Sequence, residues 1–254
     1  MIHFFYVLWS WITTIIFAII FLLALFIGDV CLRIAFLFGY RASQNTIHTL
    51  MWVIIQTLKI IGTRIRFNPA RCMLEHNRPL IVVSNHQSMF DIPCEFWYFR
   101  KFHVKFVAKK ELAKGAPSAS FHLRNGFHAI IDRKDGNQAV KAITDMAIRA
   151  EERKFAALIY PEGSRSRDGK LKEFKLRGLA TLLENMPSAL VVPMAVDGSW
   201  QLVPRKYGYI PFGLRYEMTM LEPIEPNGLT PETVLAMCEA QIRTKIGQES
   251  LKTS

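Results

Sequence analysis

The stretch LIVVSNHQSMFDIP, Leu80 to Pro93, decides how the rest of this chain is read. It opens with an apolar, largely branched run closed by Ser84, the pattern of a strand buried on both faces. NHQSMFD follows, with His86 and Asp91 five residues apart. On one helix that spacing sets two side chains roughly 140° apart. On one strand it puts them on opposite faces. They meet only where the chain turns, at a strand–loop–helix junction, and such junctions carry much of the chemistry of α/β folds. A carboxylate on one imidazole nitrogen leaves the other free to take a proton. The plain alternative is a satisfied polar residue beside a strand and an aspartate at a turn or cap. Spacing permits both readings.

Further short apolar runs read as strands at Val104–Ala108, Ala129–Ile131, Ala156–Tyr160, Leu190–Val196 and Arg215–Leu221. Between Asn137 and Arg153, Val140, Ile143, Met146, Ala147 and Ala150 form one helical stripe. Thr230-Pro231-Glu232 is a helix start, followed by Val234, Cys238, Ile242 and Ile246 at four-residue intervals. Strands alternating with helices predict an α/β fold, a mostly parallel sheet flanked by helices.

Upstream the character changes. Phe4–Ile27 holds no charged residue over 24 positions. As a helix it measures roughly 36 Å, against about 30 Å for a hydrocarbon core. A cleaved signal peptide fits less well, because no Lys or Arg precedes the run and no small-x-small site follows. Trp9 and Trp11 are placed for one interface, and Arg33 and Arg41 after the run put the remainder on the cytoplasmic side. A second tract, Ile47–Gly62, is interrupted by His48, Gln56 and Lys59. It reads as a helix in the interface, a helix packed on the first, or an ordinary core helix, with Arg64 and Arg66 toward headgroups. The expected division is therefore residues 1–68 as membrane-anchoring helices (transmembrane about 4–27, interfacial or second membrane helix about 47–62) and 69–254 as the α/β domain.

The chain of 254 residues carries 32 basic and 21 acidic side chains, a net charge of +11. That balance suits nucleic acid, an anionic membrane or a phosphate-bearing substrate, and the apolar amino terminus argues against nucleic acid. Cys31, Cys72, Cys94 and Cys238 show no paired spacing, as expected of a reducing compartment without a zinc site.

Three more segments carry charge. YPEGSRSRDGKLKEFKLRG, Tyr160–Gly178, follows a strand and holds six basic and three acidic groups around Gly163. It is either a solvated loop or a phosphate grip built on guanidinium groups and amides. GFHAIIDR, Gly126–Arg133, delivers an Asp-Arg pair to a strand end. Arg100–Gly115 holds six basic residues and ends a strand at Lys109-Lys110. It is a solvated edge, a membrane-facing patch or a second phosphate grip.

Together these pieces resemble the glycerolipid acyltransferase family, closest to its bacterial lysophosphatidic acid acyltransferases (1-acylglycerol-3-phosphate O-acyltransferases). NHQSMFD matches the family's N-H-x-x-x-x-D motif, and YPEGSRS matches F-P-E-G-T-R-S. IIDR matches the end of the second motif and VVPMAV, Val191–Val196, the fourth. The chain departs from the pattern in three places. Its glycine before Arg133 is Gly126, one residue further away than usual; Phe174-Lys175-Leu176-Arg177-Gly178 is one residue longer than F-K-[KR]-G; and Tyr160 and Ser164 stand for Phe and Thr.

The resemblance implies transfer of a fatty acyl group from acyl-CoA or acyl carrier protein to the 2-hydroxyl of lysophosphatidic acid. The alternative is another acceptor, such as a lyso-ornithine lipid or lysophosphatidylethanolamine, with a non-catalytic anionic-lipid binder further off. An acyl thioester is already activated, so a base suffices. His86 is the implied base and Asp91 its orienting partner. Arg133, Glu162, Gly163, Ser164, Arg165 and Lys109 are the implied acceptor and phosphate contacts. Neither a metal nor a cofactor is expected. The implied partners are membrane phospholipid and the acyl donor, and the implied location is the cytoplasmic face of a bacterial inner membrane.

Overall fold

The computed structural model describes residues 2–69, 74, 77–204 and 208–248. Two long helices, α1 (Ile2–Leu37) and α2 (Tyr40–Thr57), precede seven strands: β1 (Arg64–Asn68), β2 (Leu80–Ser84), β3 (Lys105–Lys109), β4 (Ala129–Ile131), β5 (Ala156–Ile159), β6 (Leu190–Asp197) and β7 (Arg215–Met220). Helices α3 (Asp91–Tyr98), α4 (Ala119–Asn125), α5 (Gly136–Arg153), α6 (Leu176–Asn185) and α7 (Pro231–Lys245) connect or follow them. The strand order is β1-β7-β6-β2-β5-β3-β4. β6, β2, β5, β3 and β4 run in one direction; β7 is antiparallel to β6, and β1 is parallel to β7. The expected mostly parallel α/β sheet is the architecture found.

β2 lies at the centre, paired with β5 on one side and β6 on the other. Every residue of it is buried. Its period-two alternation sends Leu80 and Val82 to the face covered by α1–α4, and Ile81 and Val83 to the face covered by α5–α7. Side-chain caps start two of the covering helices, the one at Thr230 being legible in the sequence. The Asp135 side chain accepts from the amides of Asn137 and Gln138 ahead of α5, and Thr230 accepts from that of Thr233 ahead of α7.

Arg64 and Arg66, expected toward headgroups, stand exposed on β1, an edge strand in register with Arg215–Thr219. Alternation is the reason: Ile65 and Phe67 pack on the core while the arginines face solvent. The sheet thus begins before the expected boundary at 68/69. The second apolar helix runs over Tyr40–Thr57 and packs against α1 and α3. Cys31, Cys94 and Cys238 are free thiols, and Cys72 lies outside the described residues.

Among the described residues α1 is the one helix long and apolar enough to cross a membrane, and it runs ten residues past the C-terminal end of the expected span. It is fastened to the α/β body along its length. Near its start the Tyr6 hydroxyl donates to Phe212 O and Thr14 exchanges hydrogen bonds with Ile210. In the middle Phe17 and Phe21 pack edge-on to Phe90. Near its end Ser118 N donates to Asp29 and Phe36 packs on Phe121. The opposite face, including Ile15, Ile19, Leu23 and Phe26, is exposed.

Candidate active site

β2 ends at Ser84, and the next six residues fold into a compact loop whose order comes from hydrogen bonds. Asn85 clamps the end of β6: its Oδ1 accepts from Val196 N at 2.7 Å and its Nδ2 donates to Val196 O at 2.8 Å. The chain then turns, and α3 starts at Asp91. His86 Nδ1 lies 2.9 Å from Asp91 Oδ2, which also accepts from the amides of Gln87 and Ser88 at 2.7 Å each. Asp91 Oδ1 accepts from the hydroxyls of Ser199 and, at 3.3 Å, Tyr216. Five donors fix the orientation of this fully buried carboxylate. With Nδ1 engaged there, Nε2 is the nitrogen His86 offers outward.

The His86 backbone is gripped by the 160–178 loop. Its amide donates to Glu162 Oε1 at 2.7 Å, and its carbonyl accepts from Ser166 N at 2.7 Å. Glu162 Oε2 takes the Lys172 amide. Burial raises the Glu162 carboxyl to about 7, opposed by these two amide bonds. Gly163 makes the bend with φ +67°, a backbone region that glycine enters without strain. The amides of residues 86, 87 and 88 are all spent on carboxylates, so this loop supplies none of them to an oxyanion.

The face of the imidazole is covered as well. The Tyr160 ring stacks on it at 4.0 Å between centroids and 17° between planes. The Tyr160 hydroxyl donates to Glu95, one helical turn past Asp91 on α3.

His86 opens on a cavity of about 350 Å³. Its wall is apolar where Ile92, Phe106, Leu112, Val140, Ile143 and Ile159 line it. Its cationic lining comes from Lys109 at the end of β3, Arg133 after β4, and Lys175 and Arg177 at the start of α6. Gly136, the first residue of α5, gives Arg177 room: a Cβ there would stand 2.5 Å from the guanidinium Nη1. The arrangement offers a base, an apolar wall for a hydrocarbon or thioester arm, and cations for an anion.

The expected site residues divide accordingly. His86, Lys109, Arg133 and Gly163 line the cavity. Glu162 lies behind it with both oxygens on backbone amides. Ser164 and Arg165 are exposed outside the lining, because the loop folds on itself: Lys172 Nζ reaches Ser164 Oγ at 2.9 Å and Arg165 O at 2.7 Å. Ser88 is buried under the loop. Lys175 and Arg177 were visible as part of a charged run, and their place at a helix start was the signal for them. No local signal marked Ser199, Tyr216 or Glu95.

A family model for acyltransferases matches residues 64–197, and the chain belongs to that acyltransferase family. It is 27% identical over 209 residues to human 1-acyl-sn-glycerol-3-phosphate acyltransferase beta, covering 81% of this chain and 73% of that one. To the coconut (Cocos nucifera) 1-acyl-sn-glycerol-3-phosphate acyltransferase it is 27% identical over 189 residues, which is 74% of this chain but only 55% of that protein. The crystal structure of the 1-acyl-sn-glycerophosphate acyltransferase PlsC from Thermotoga maritima has the same fold, with a TM-score of 0.73, 24% identity and coverage of 96% of this chain and 98% of that one.

Proposed function

We propose that this protein moves a fatty acyl group from an acyl thioester, acyl-CoA or acyl carrier protein, to the 2-hydroxyl of lysophosphatidic acid, forming phosphatidic acid. The observation that carries this is the His86–Asp91 pair opening on a cavity with cationic groups and an apolar wall. The names of the coconut and human relatives support the acceptor. His86 Nε2 takes the hydroxyl proton as the alcohol oxygen adds to the thioester carbonyl. The tetrahedral adduct collapses, the C–S bond breaks, and the imidazolium returns its proton to the leaving thiolate. Asp91 holds the tautomer and stabilises the imidazolium, as the acid does in a Ser-His-Asp triad. Arg133, Lys175 and Arg177 bind the acceptor phosphate in this reading. Purified protein given labelled acyl-CoA and lysophosphatidic acid is expected to form labelled phosphatidic acid. Release of free fatty acid at the same rate without acceptor would mean a thioesterase instead.

The exposed face of α1 is the membrane contact in this proposal, at the cytoplasmic side of a bacterial inner membrane. From Tyr6 to Phe36 the helix runs about 45 Å, attached to the body near both ends and in the middle. A crossing would carry parts of the body into the hydrocarbon with it, so these attachments favour α1 lying along one leaflet. Tags fused at the two chain termini are then digested by protease from the same side of sealed vesicles. Protection of the amino-terminal tag alone would mean a crossing. Ile16→Asp with Leu23→Asp is expected to release most of the protein from vesicles in flotation, each exposed apolar side chain contributing about 1.5–3 kcal/mol of transfer energy.

A further inference from the structure

The reaction above leaves a fully buried carboxyl unused. Glu95 is completely enclosed, one helical turn from Asp91, and its Oε1 has no hydrogen-bond partner. An enclosed acid beside a second carboxylate destabilises a fold, and native proteins keep such groups chiefly at functional sites. The groups facing it are Asp91 and Cys94 on α3, Ser84 at the end of β2, Tyr160 after β5 and Tyr216 on β7. Its other oxygen accepts from Tyr160, whose ring covers the face of His86.

We propose that Tyr160 and Glu95 are positioning residues for the base: the phenol ring holds the plane of the imidazole, and its hydrogen bond to Glu95 makes that ring a better partner for the imidazolium formed as the acceptor is deprotonated. A ring stacked on a forming cation lowers the energy of the charged state more than that of the neutral one. This acts on the transition state, so it changes kcat and leaves acceptor binding alone. The hydroxyl and carboxyl are coupled, since ionising Glu95 strengthens the bond it accepts and enriches the ring. Burial, with Asp91 adding to it, raises the Glu95 carboxyl to about 8. The wild-type rate is therefore expected to gain a further increment as pH rises through about 8.

The inference rests on the acyl-transfer reading, and the experiment separates the two. Initial rates are measured from pH 6 to 9 with acyl-CoA and lysophosphatidic acid, alongside melting curves, for the wild type, Glu95→Gln, Tyr160→Phe and Tyr160→Phe with Glu95→Leu. Glu95→Gln keeps an acceptor for the hydroxyl and is expected to lose the increment near pH 8 while keeping most of the rate at pH 7. Tyr160→Phe is expected to lower kcat about 3- to 10-fold with KM for the acceptor unchanged. The double variant removes both polar groups, so its melting temperature recovers while kcat stays low and the profile lacks the step. The folded carboxyl keeps its proton to about pH 8 whereas an unfolded one loses it near 4.5. Wild-type stability contributed here is thus present below pH 4.5 and lost as pH rises through 8, a loss Glu95→Gln removes. An active wild type whose variants keep its kcat and pH profile, or a double variant that regains full kcat, would overturn the inference. A wild type that acylates no acceptor would instead overturn the acyl-transfer reading.

Discussion

His86→Ala is expected to lower kcat for acyl transfer to lysophosphatidic acid by about 10³-fold, within the range of about 10²–10⁴ assigned to a positioned general base. The variant is a clean one because the backbone of residue 86 is held by groups the substitution leaves alone. Its amide still has Glu162 and its carbonyl still has Ser166. The lost side chain takes one donor from Asp91, whose remaining partners are the amides of Gln87 and Ser88 and the hydroxyls of Ser199 and Tyr216. Melting temperature should therefore change little. Asp91→Ala is a poor substitute, since it would leave five donors without their acceptor and damage the fold together with the chemistry. Labelled product formation under saturating acceptor checks the expectation. A His86→Ala enzyme that folds and turns over at more than a tenth of the wild-type rate would remove the imidazole from its assigned role.

Replacing Arg133 and Arg177 together with Ala is expected to reduce kcat/KM for lysophosphatidic acid by about 10²-fold or more. A hydrogen bond to a charged group contributes roughly 1.5–3 kcal/mol, and about 1.4 kcal/mol corresponds to tenfold. Both guanidinium groups are exposed without a ligand, so their removal barely disturbs the fold. The diagnostic comparison is with 1-monoacylglycerol, the same backbone lacking the phosphate. Its kcat/KM should be low in the wild type and unchanged in the variant. Equal losses on both acceptors would mean that the arginines serve the donor or the fold. Arg165→Ala, at a position outside the cavity lining, is expected to change kcat/KM for lysophosphatidic acid less than twofold.

The central contact of the site is legible in the sequence because it is local. Five residues separate His86 from Asp91, and the strand before them is hydrophobic enough to be assigned without ambiguity. A turn between them is the only way for them to meet, and they do meet. The cap at Thr230 and the stripe on α5 were legible for the same reason, since their partners lie within one or two helical turns. β1 is hard to read from its sequence although its alternation is present: RIRFN is short, follows an apolar helix, and its arginines suit headgroups as readily as a solvent edge. Which cations line the cavity is not legible in the sequence, because a basic loop of nineteen residues from Tyr160 to Gly178 contains no mark of which side chains turn inward. Lys172 folding back on Ser164 and Arg165 settled that.

What the sequence determined by itself is the alternation of strands and helices, the central buried strand, the imidazole–carboxylate pair and an apolar amino-terminal helix. These follow from side-chain periodicity and from contacts spanning a few residues. Tertiary structure alone decided that Tyr216 and Ser199 hold Asp91, that Glu95 reaches Tyr160, that Lys175 and Arg177 face the cavity, and that α1 lies along the body. Each of those depends on strand order and register, which join segments from 65 to 206 residues apart, and a local pattern of side chains carries no information about which distant segment will become its neighbour.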